Sequence, residues 1–286
     1  MTNLLDEYIS KYSPQTPEDY KNALKEIVQE IALYGLSKSD FFQYAAFYGG
    51  TSLRIFYGLD RFSEDMDFSL EAPNKAFQLE KYCPYIKEAL LSFGLDMEVS
   101  RKIKSRDTDI QSAFVKGETL MHLITVFNQD ESVFSPIKND EKVKIKIEID
   151  TNPPEGATFD IQYGLKPVPY MVRLYDKPSL FAGKIHAILC RNWKNRIKGR
   201  DLYDFIWYIS LNTPVNLHHL QKRLEQSGRW DANNIMTLDA LKKLLVHKFA
   251  EIDYDNAKID VRAFIKDDSK LSLWSKEFFC AITQKL

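Results

Sequence analysis

Disulfide chemistry, membrane spans and a strong overall charge are all missing from this sequence of 286 residues. Its three cysteines are odd in number and far apart, so they indicate neither a disulfide framework nor a Cys-x-x-Cys zinc motif. No run of about eighteen apolar residues predicts a membrane-spanning helix. The first residues also lack the basic segment and apolar run of a signal peptide. We therefore expect a cytoplasmic protein without membrane contact.

The composition is that of a folded protein with no general attraction to nucleic acid. Hydrophobic residues make up 44% of the chain and charged residues 28%, which is typical of globular rather than disordered proteins. The formal net charge is −1, so any contact with nucleic acid needs a local basic patch. The length allows one large domain or two of ordinary size.

Helical and strand patterns change along the chain near residue 176. Thr16 and Pro17 predict the start of a long helix, because threonine caps helix N-termini and proline fits the first helical position. Before the boundary, we predict further helices at residues 41–46, 51–56 and 74–91, and strands at residues 67–70, 113–115, 120–127 and 142–150. After it, we predict only helices, at residues 179–192, 201–210, 217–226, 238–250 and 272–283. The pattern favours an α+β fold, with a first domain at residues 1–175 and a C-terminal helical bundle at residues 176–286.

A glycine pair followed by two hydroxyl residues is the first candidate for chemistry. Gly49 and Gly50 allow the backbone to approach a phosphate closely, and a helix starting there offers free N–H donors. Thr51 and Ser52 can add hydroxyl contacts. A Gly-Gly pair alone is usually only a turn.

Two aspartates follow this turn, and thirteen residues separate Thr51 from the first of them. Asp65 and Asp67 project from the same face if the segment is a strand, because side chains alternate. Two carboxylates placed in this way can share a divalent cation, and Mg²⁺ prefers a few carboxylates together with phosphate oxygens. An Asp-x-Asp sequence alone is usually a solvated strand face. The order and spacing of the two motifs together favour a site for phosphoryl transfer.

A third carboxylate is expected from the strand predicted at residues 142–150. Alternation places four aliphatic residues on one face of this strand, and Glu148 and Asp150 on the other. We prefer Glu148 as the third metal ligand, and Asp150 remains the alternative. An ordinary sheet with one wet face would show the same alternation of Lys and Glu.

Two cations and two aspartates stand out in the helical half. Lys184 and Arg191 lie on one helical face, from which both could bind the charge of a triphosphate. Asp201 is placed as a helix N-cap, and Asp204 follows in the first turn, where the helix dipole favours a negative charge. Between these groups, residues 191–200 contain five basic residues and a tryptophan, the best local candidate for an RNA contact.

These motifs together resemble a known family. The order of Gly-Gly-Thr, Asp-x-Asp and an acidic residue between hydrophobic ones is similar to that of DNA polymerase β-type nucleotidyltransferases. The fuller phrases at residues 47–54 and 61–68 resemble the AbiEii/AbiGii toxins of type IV toxin–antitoxin systems. Residues 184–191 and 200–205 match two further family motifs, so the resemblance spans residues 47–207.

The resemblance implies a polymerase β-like nucleotidyltransferase domain that contains a mixed sheet. It also implies that the protein is a toxin. Asp65, Asp67 and Glu148 would hold Mg²⁺, while the glycine turn and Lys184 would cradle the triphosphate of an NTP. Asp201 would face the active site. The acceptor would be an RNA, with tRNA as the first candidate, or a protein, and a cognate antitoxin would be the partner.

Two alternatives remain open at the level of the sequence. A protein of the same fold could bind nucleotide or RNA without catalysis, in which case NTP would bind without release of pyrophosphate. In a structural interaction module, neither the stability nor the binding of a partner would depend on Mg²⁺ or NTP.

Overall fold

The structure is a computed structural model, and it describes residues 4–102, 109–118, 134, 137, 140–192 and 197–286. The described α-helices are α1 (Leu4–Ile9), α2 (Pro17–Ser37), α3 (Phe41–Tyr44), α4 (Gly49–Phe56), α5 (Cys83–Ser92), α6 (Lys177–Cys190), α7 (Gly199–Ser210), α8 (Leu217–Gln226), α9 (Leu238–Phe249), α10 (Tyr254–Arg262) and α11 (Lys276–Thr283). The described strands are β1 (Ala45–Tyr48), β2 (Met66–Leu70), β3 (Glu98–Lys102), β4 (Ile110–Glu118), β5 (Lys142–Asp150), β6 (Phe159–Gly164) and β7 (Tyr170–Tyr175). Short 3₁₀ helices lie at Leu79–Tyr82 and Asp268–Leu271.

The seven strands form one mixed sheet in the order β3-β4-β5-β2-β1-β7-β6. Strand β2 is antiparallel to β1 and parallel to β5, and β1 is parallel to β7. Strand β4 is antiparallel to both β3 and β5. The α+β class and the mixed sheet predicted from the sequence are confirmed, whereas the C-terminal helical bundle stays a prediction.

Helix α2 begins as its sequence predicts. The Thr16 hydroxyl accepts a hydrogen bond from the Asp19 N–H at 3.2 Å, and the Asp19 carboxylate accepts one from the Thr16 N–H at 3.0 Å. This reciprocal pair is a capping box, with Pro17 in the first turn. The helix then buries a face of aliphatic residues, which gives the first part of the chain much of its core.

The alternation predicted for strand β5 is also confirmed. Val143 is 3% exposed, and Ile145, Ile147 and Ile149 are fully buried, while the residues between them lie on the other face. Burial of one face fixes the register, because a shift of one residue would expose all four aliphatic side chains.

The helix predicted at residues 41–46 is wrong in its last two residues. Helix α3 ends at Tyr44, and strand β1 begins at Ala45 in the interior of the sheet. Ala45, Ala46 and Phe47 are all buried, so the strand has no alternation of apolar and polar residues by which to recognise it. The helix predicted at residues 74–91 likewise begins later, as a 3₁₀ turn followed by α5. The strand predicted at residues 120–127 lies outside the described residues.

The chain separates into two compact units. The first unit comprises Met1–Tyr57, Phe62–Pro153 and Ile161–Leu174, and the second comprises Gly58–Arg61, Pro154–Asp160 and Tyr175–Leu286. The predicted domains, residues 1–175 and 176–286, stay a prediction.

Each unit contains a cluster of packed aromatic rings. In the first unit the Phe68 ring lies 5.0 Å from the rings of Phe41 and Phe47, measured between ring centroids. In the second unit the Phe249 ring lies 5.2 Å from that of Phe205 and 5.1 Å from that of Phe279. Within the described ranges, no helix combines the length and apolar character needed to cross a membrane.

Candidate active site

A helix begins directly after strand β1, at the glycine pair that the sequence singles out. Helix α4 starts at Gly49, whose φ of +85° lies in the left-handed region that favours glycine. A Cβ atom at this position would lie 2.7 Å from Oδ2 of Asp67, so only glycine lets the main chain pass this carboxylate so closely. The N–H groups of a first helical turn have no acceptor within their own helix, which makes the turn at Gly49 and Gly50 suited to a phosphate.

The two hydroxyl residues of this turn hold the turn itself together. The Ser52 hydroxyl donates to the Gly49 carbonyl at 2.8 Å, and the Thr51 hydroxyl lies 2.9 Å from that of Ser63. Thr51 also donates to the carbonyl of Asp65. Both side chains are fully buried. Thr51 therefore links the glycine turn to the Asp-x-Asp segment. The predicted contacts of Thr51 and Ser52 with a nucleotide stay predictions.

The two aspartates lie at the start of strand β2. Asp65 is exposed and directly precedes the strand, Asp67 is partly buried, and Met66 between them is fully buried. Strand alternation places Asp67 on the face opposite Met66, and the prediction that Asp65 shares this face stays a prediction. The register of β1 and β2 sets Asp67 opposite Tyr48, the residue before the glycine pair. The carboxylates and the glycine turn are thus parts of one local structure.

The register of β2 and β5 distinguishes the two candidates for the third carboxylate. In this parallel pair Asp67 lies opposite Glu148, whereas Asp150 lies opposite Ser69. Neighbouring strands are about 4.8 Å apart and paired residues share a face, so Glu148 is the acid beside Asp67. The Asp150 carboxylate instead accepts a hydrogen bond from the Asn152 N–H at 3.0 Å, in the turn that ends the strand. The register therefore favours Glu148.

These residues fit a divalent cation in their chemistry, since carboxylate oxygens are the ligands that hard cations prefer. Glu148 is engaged within the protein: its Oε2 lies 2.6 Å from Nζ of Lys146, and its Oε1 accepts a hydrogen bond from Ser112 at 3.1 Å. In the part of the chain that the structure describes, no three acidic, histidine or cysteine residues form a group able to hold a metal ion. Asp65, Asp67 and Glu148 therefore stay the predicted ligands.

The second unit contains a compact cluster of charged groups. Nζ of Lys184 in α6 lies 2.7 Å from Oδ1 of Asp201 and 2.8 Å from Oδ2 of Asp204, both in α7. Nη1 of Arg191 lies 2.9 Å from Oδ2 of Asp201. Lys184 and Arg191 thus contact the same carboxylate, that of Asp201, and their predicted binding of a triphosphate stays a prediction.

Arg61 completes this cluster, and sequence reasoning gave it no role. Its Nε lies 2.6 Å from Oδ1 of Asp204 and its Nη2 lies 2.7 Å from Oδ2, which is a two-pronged ion pair. Arg61 is 2% exposed and Asp204 is fully buried. The two residues are 143 positions apart, so the sequence signal was only that Arg61 stands in the same phrase as Asp65 and Asp67.

Opposite charges in the cluster keep each other ionised despite their burial. Burial alone would lower the pKa of Lys184, but the carboxylates of Asp201 and Asp204 outweigh burial and raise it above its usual value. Burial alone would raise the pKa of Asp204, but Arg61 and Lys184 outweigh it and lower that pKa. Lys184 therefore stays protonated and Asp204 ionised at neutral pH.

Asp201 is not the helix N-cap that its position in the sequence suggests, and its predicted place at the active site stays a prediction. The N-cap of α7 is Lys198, and Asp201 lies in the first turn with its side chain 4% exposed and bound to cations. Asp204 is not a dipole partner on the surface either, because it is fully buried against Arg61 and Lys184. Of the basic stretch at residues 191–200, residues 193–196 lie outside the described residues, so the RNA contact stays a prediction.

Comparison with known proteins identifies the family. The model of the family described as nucleotidyl transferase AbiEii toxin of type IV toxin–antitoxin systems matches residues 31–278, most of the chain. No curated protein matches the sequence significantly.

One solved structure shows the same fold at low sequence identity, and a second is similar to a lesser degree. MenT4, a nucleotidyltransferase toxin from Mycobacterium tuberculosis H37Rv, is similar with a TM-score of 0.54 and 18% identity, covering 100% of this chain and 90% of that one. JHP933 from Helicobacter pylori has a TM-score of 0.49 and 18% identity, covering 91% of this chain and 89% of that one. The family resemblance seen in the motifs is confirmed by the family match: the chain belongs to the AbiEii family of nucleotidyltransferase toxins of type IV toxin–antitoxin systems.

Proposed function

We propose that this protein transfers a nucleoside monophosphate from an NTP to a cellular macromolecule, and that Mg²⁺ is the ion it uses. Membership of the family implies an NTP substrate, a divalent metal ion and an antitoxin partner. The observation that carries the proposal is the Asp67 carboxylate, which lies opposite Glu148 and against Gly49 at the start of a helix. This arrangement supports the proposal, because acid groups lie beside a glycine turn that is suited to a phosphate.

The residues of the first unit are proposed to have two roles, the binding of the metal ion and the binding of phosphate. Asp65, Asp67 and Glu148 would hold Mg²⁺, which when bound would neutralise charge on the phosphates. The main-chain N–H groups at Gly49 and Gly50 would donate to phosphate oxygens. Glycine is suited to this position because a side chain would collide with Asp67.

The proposed reaction is an in-line displacement. A hydroxyl oxygen of the acceptor forms a bond to the α-phosphorus while the bond from that phosphorus to the bridging oxygen breaks. Pyrophosphate leaves with that oxygen, and the hydroxyl proton passes to a base or to water. The residues of this site position the triphosphate and neutralise its charge, which is the main contribution proteins make to such reactions.

Lys184 and Arg191 are proposed to bind phosphate oxygens of the NTP. With Arg61, they bring three positive charges to a cluster that holds two carboxylates, Asp201 and Asp204. The excess of one positive charge supports a role in anion binding. Asp201 is proposed to orient both Lys184 and Arg191, which it contacts directly.

The acceptor is proposed to be an RNA, with tRNA as the first candidate, and a protein is the other possibility. The basic stretch at residues 191–200 supports an RNA. The experiment incubates the protein with each of the four α-³²P-labelled NTPs, total cellular RNA and total cellular protein. Metal is removed with EDTA, and Mg²⁺, Mn²⁺ or Ca²⁺ is added back. We expect label on one class of macromolecule with Mg²⁺, and none with the variant Asp67→Asn.

The alternative function is binding of nucleotide or RNA without catalysis. The ion pair and hydrogen bond that already engage Glu148 are the observations that favour it. Measurable binding of NTP, without release of pyrophosphate in the presence of any of the three ions and either class of acceptor, would establish this alternative.

A further inference from the structure

The chain just before the Asp-x-Asp motif is held by side chains rather than by a strand. Strand β2 begins only at Met66. The carbonyl groups of Ser63 and Glu64 accept hydrogen bonds from Nε2 of Gln29, at 3.1 Å and 2.9 Å. The next carbonyl, that of Asp65, accepts from the Thr51 hydroxyl. Three consecutive peptide units leading into the site are therefore fixed by two buried side chains.

Gln29 is an unusual residue for its position. It lies in the middle of α2 and is fully buried, as are its helix neighbours Ile27, Val28 and Ile31. Its Nε2 makes two hydrogen bonds, but within the described ranges its Oε1 has no hydrogen-bond partner. Burial of an unpaired amide oxygen costs free energy, and an aliphatic side chain would avoid that cost. Packing alone therefore does not explain a glutamine here, whereas the two bonds to residues 63 and 64 do.

A second residue of the same helix reinforces the contact. Lys25 lies one turn before Gln29, and its Nζ lies 3.0 Å from Oε1 of Glu64. Helix α2 thus binds Glu64 through both its main chain and its side chain. The two contacts come from residues four apart, so a single helical face acts on this segment.

We propose that Gln29 is a positioning residue of the nucleotidyltransferase site, which fixes the peptide units before Asp65 so that Asp65 and Asp67 face the metal ion together. This inference rests on the proposed function. Metal ligands must be held within about 0.5 Å of a productive geometry, and a ligand that directly precedes a strand needs support from outside the sheet. Gln29 and Thr51 provide that support from two different helices, α2 and α4.

The test compares Gln29→Met with Thr16→Ala. Methionine has nearly the shape of glutamine but cannot donate to the two carbonyls. Thr16→Ala removes the capping box of the same helix and leaves residues 63–65 untouched, so it controls for a general loss of stability of α2. Both variants are examined for melting temperature, for hydrogen exchange of residues 62–67 without metal, and for nucleotide transfer as a function of Mg²⁺ concentration.

For Gln29→Met, we expect exchange at residues 62–67 to become at least about tenfold faster. We expect the Mg²⁺ concentration at half-maximal rate to rise about tenfold, with KM for NTP at saturating Mg²⁺ nearly unchanged. Thr16→Ala should lower the melting temperature without either change. Unchanged exchange in Gln29→Met, or equal changes in both variants, would overturn the proposal.

The outcomes separate this inference from the proposed function. If the wild type transfers no nucleotide, or if Asp67→Asn still does, the proposed function fails, and the exchange experiment still decides whether Gln29 fixes the segment. If Asp67→Asn is inactive while Gln29→Met has the wild-type Mg²⁺ dependence, only the role of Gln29 fails.

Discussion

Asp67 and Glu148 lie directly opposite each other on the parallel strands β2 and β5. The two residues are 81 positions apart in the sequence, and their proximity follows from the register, in which Met66 is also paired with Ile147 and Phe68 with Ile149. The buried pairs on both sides of the acids fix this register, because a slip by one residue would bring Glu148 to the buried face. The hydrophobic core thus determines which acid stands beside Asp67.

The register predicts different results for the two acids of β5. Glu148→Gln should lower the rate of nucleotide transfer at least about 100-fold, because it removes a carboxylate beside Asp67. Asp150→Asn is the matched control and should retain most of the activity, since Asp150 lies opposite Ser69. Rates are measured at saturating NTP and a series of Mg²⁺ concentrations. Equal losses in both variants would show that the register does not select the ligand.

The close contact between Gly49 and Asp67 predicts an effect of a single methyl group. Gly49→Ala should cost about 1–2 kcal/mol of stability because of its positive φ, and should also lower activity about 100-fold by displacing Asp67. Gly58 has a similar φ of +79°, but a Cβ there would have nothing within 4 Å. Gly58→Ala should therefore show the same loss of stability in urea denaturation and keep its activity. Loss of activity in both would assign the effect to backbone strain alone.

The buried ion pair of Arg61 and Asp204 predicts strong coupling between two distant positions. Arg61→Met should cost about 3–5 kcal/mol of unfolding free energy, since it leaves a buried carboxylate short of a partner. The double variant Arg61→Met/Asp204→Asn should cost less than the sum of the single variants, by about 2 kcal/mol. Urea denaturation of the three variants measures this coupling. Additive costs would mean that the pair does not act as a unit.

The buried histidine His219 predicts an acid sensitivity of the second unit. Its Nδ1 lies 2.9 Å from the Glu155 carbonyl oxygen and so donates to it, while burial lowers the pKa of His219 from 6.5 to about 4. Between these two values the unfolded chain binds a proton that the folded chain does not. Stability must therefore fall as the pH falls from about 6.5 to about 4, by up to about 1.4 kcal/mol per pH unit.

The variant His219→Asn tests this assignment, because asparagine can keep the donor without titrating. We expect a flatter dependence of unfolding free energy on pH between about 6.5 and about 4. His218→Asn, at the exposed neighbouring position, is the control and should keep the wild-type slope. An unchanged slope in His219→Asn would assign the acid sensitivity to other groups.

The sequence predicts those parts of the fold and site that depend on local patterns. The alternation in β5 follows from a period of two, and the capping box of α2 from two residues three positions apart. Strand β1 escapes this reasoning because it is buried and short, with no alternation. The motifs also suffice to name the family, since each is a short sequence phrase and their order can be read directly from the chain.

Relationships between distant segments could not be read from these patterns. The choice between Glu148 and Asp150 depends on which residue of β5 faces Asp67, and the partner of Asp204 is Arg61, far earlier in the chain. The local sequence suggests a helix cap at Asp201, but the N-cap is Lys198 and the Asp201 carboxylate instead pairs with Lys184 and Arg191. Local propensity is outweighed in each case by a contact that forms only in the folded chain.

The central claim is that the site at Asp67 transfers a nucleotide rather than a phosphate. The most direct measurement supplies the protein with NTP labelled with ³²P at either the α or the γ position, together with Mg²⁺ and total cellular RNA and protein. We expect the α label to appear on a macromolecule and the γ label to appear only in pyrophosphate, with transfer lost in Asp67→Asn and kept in Asp150→Asn. Transfer of the γ label, or undiminished transfer of the α label by Asp67→Asn, would contradict the account.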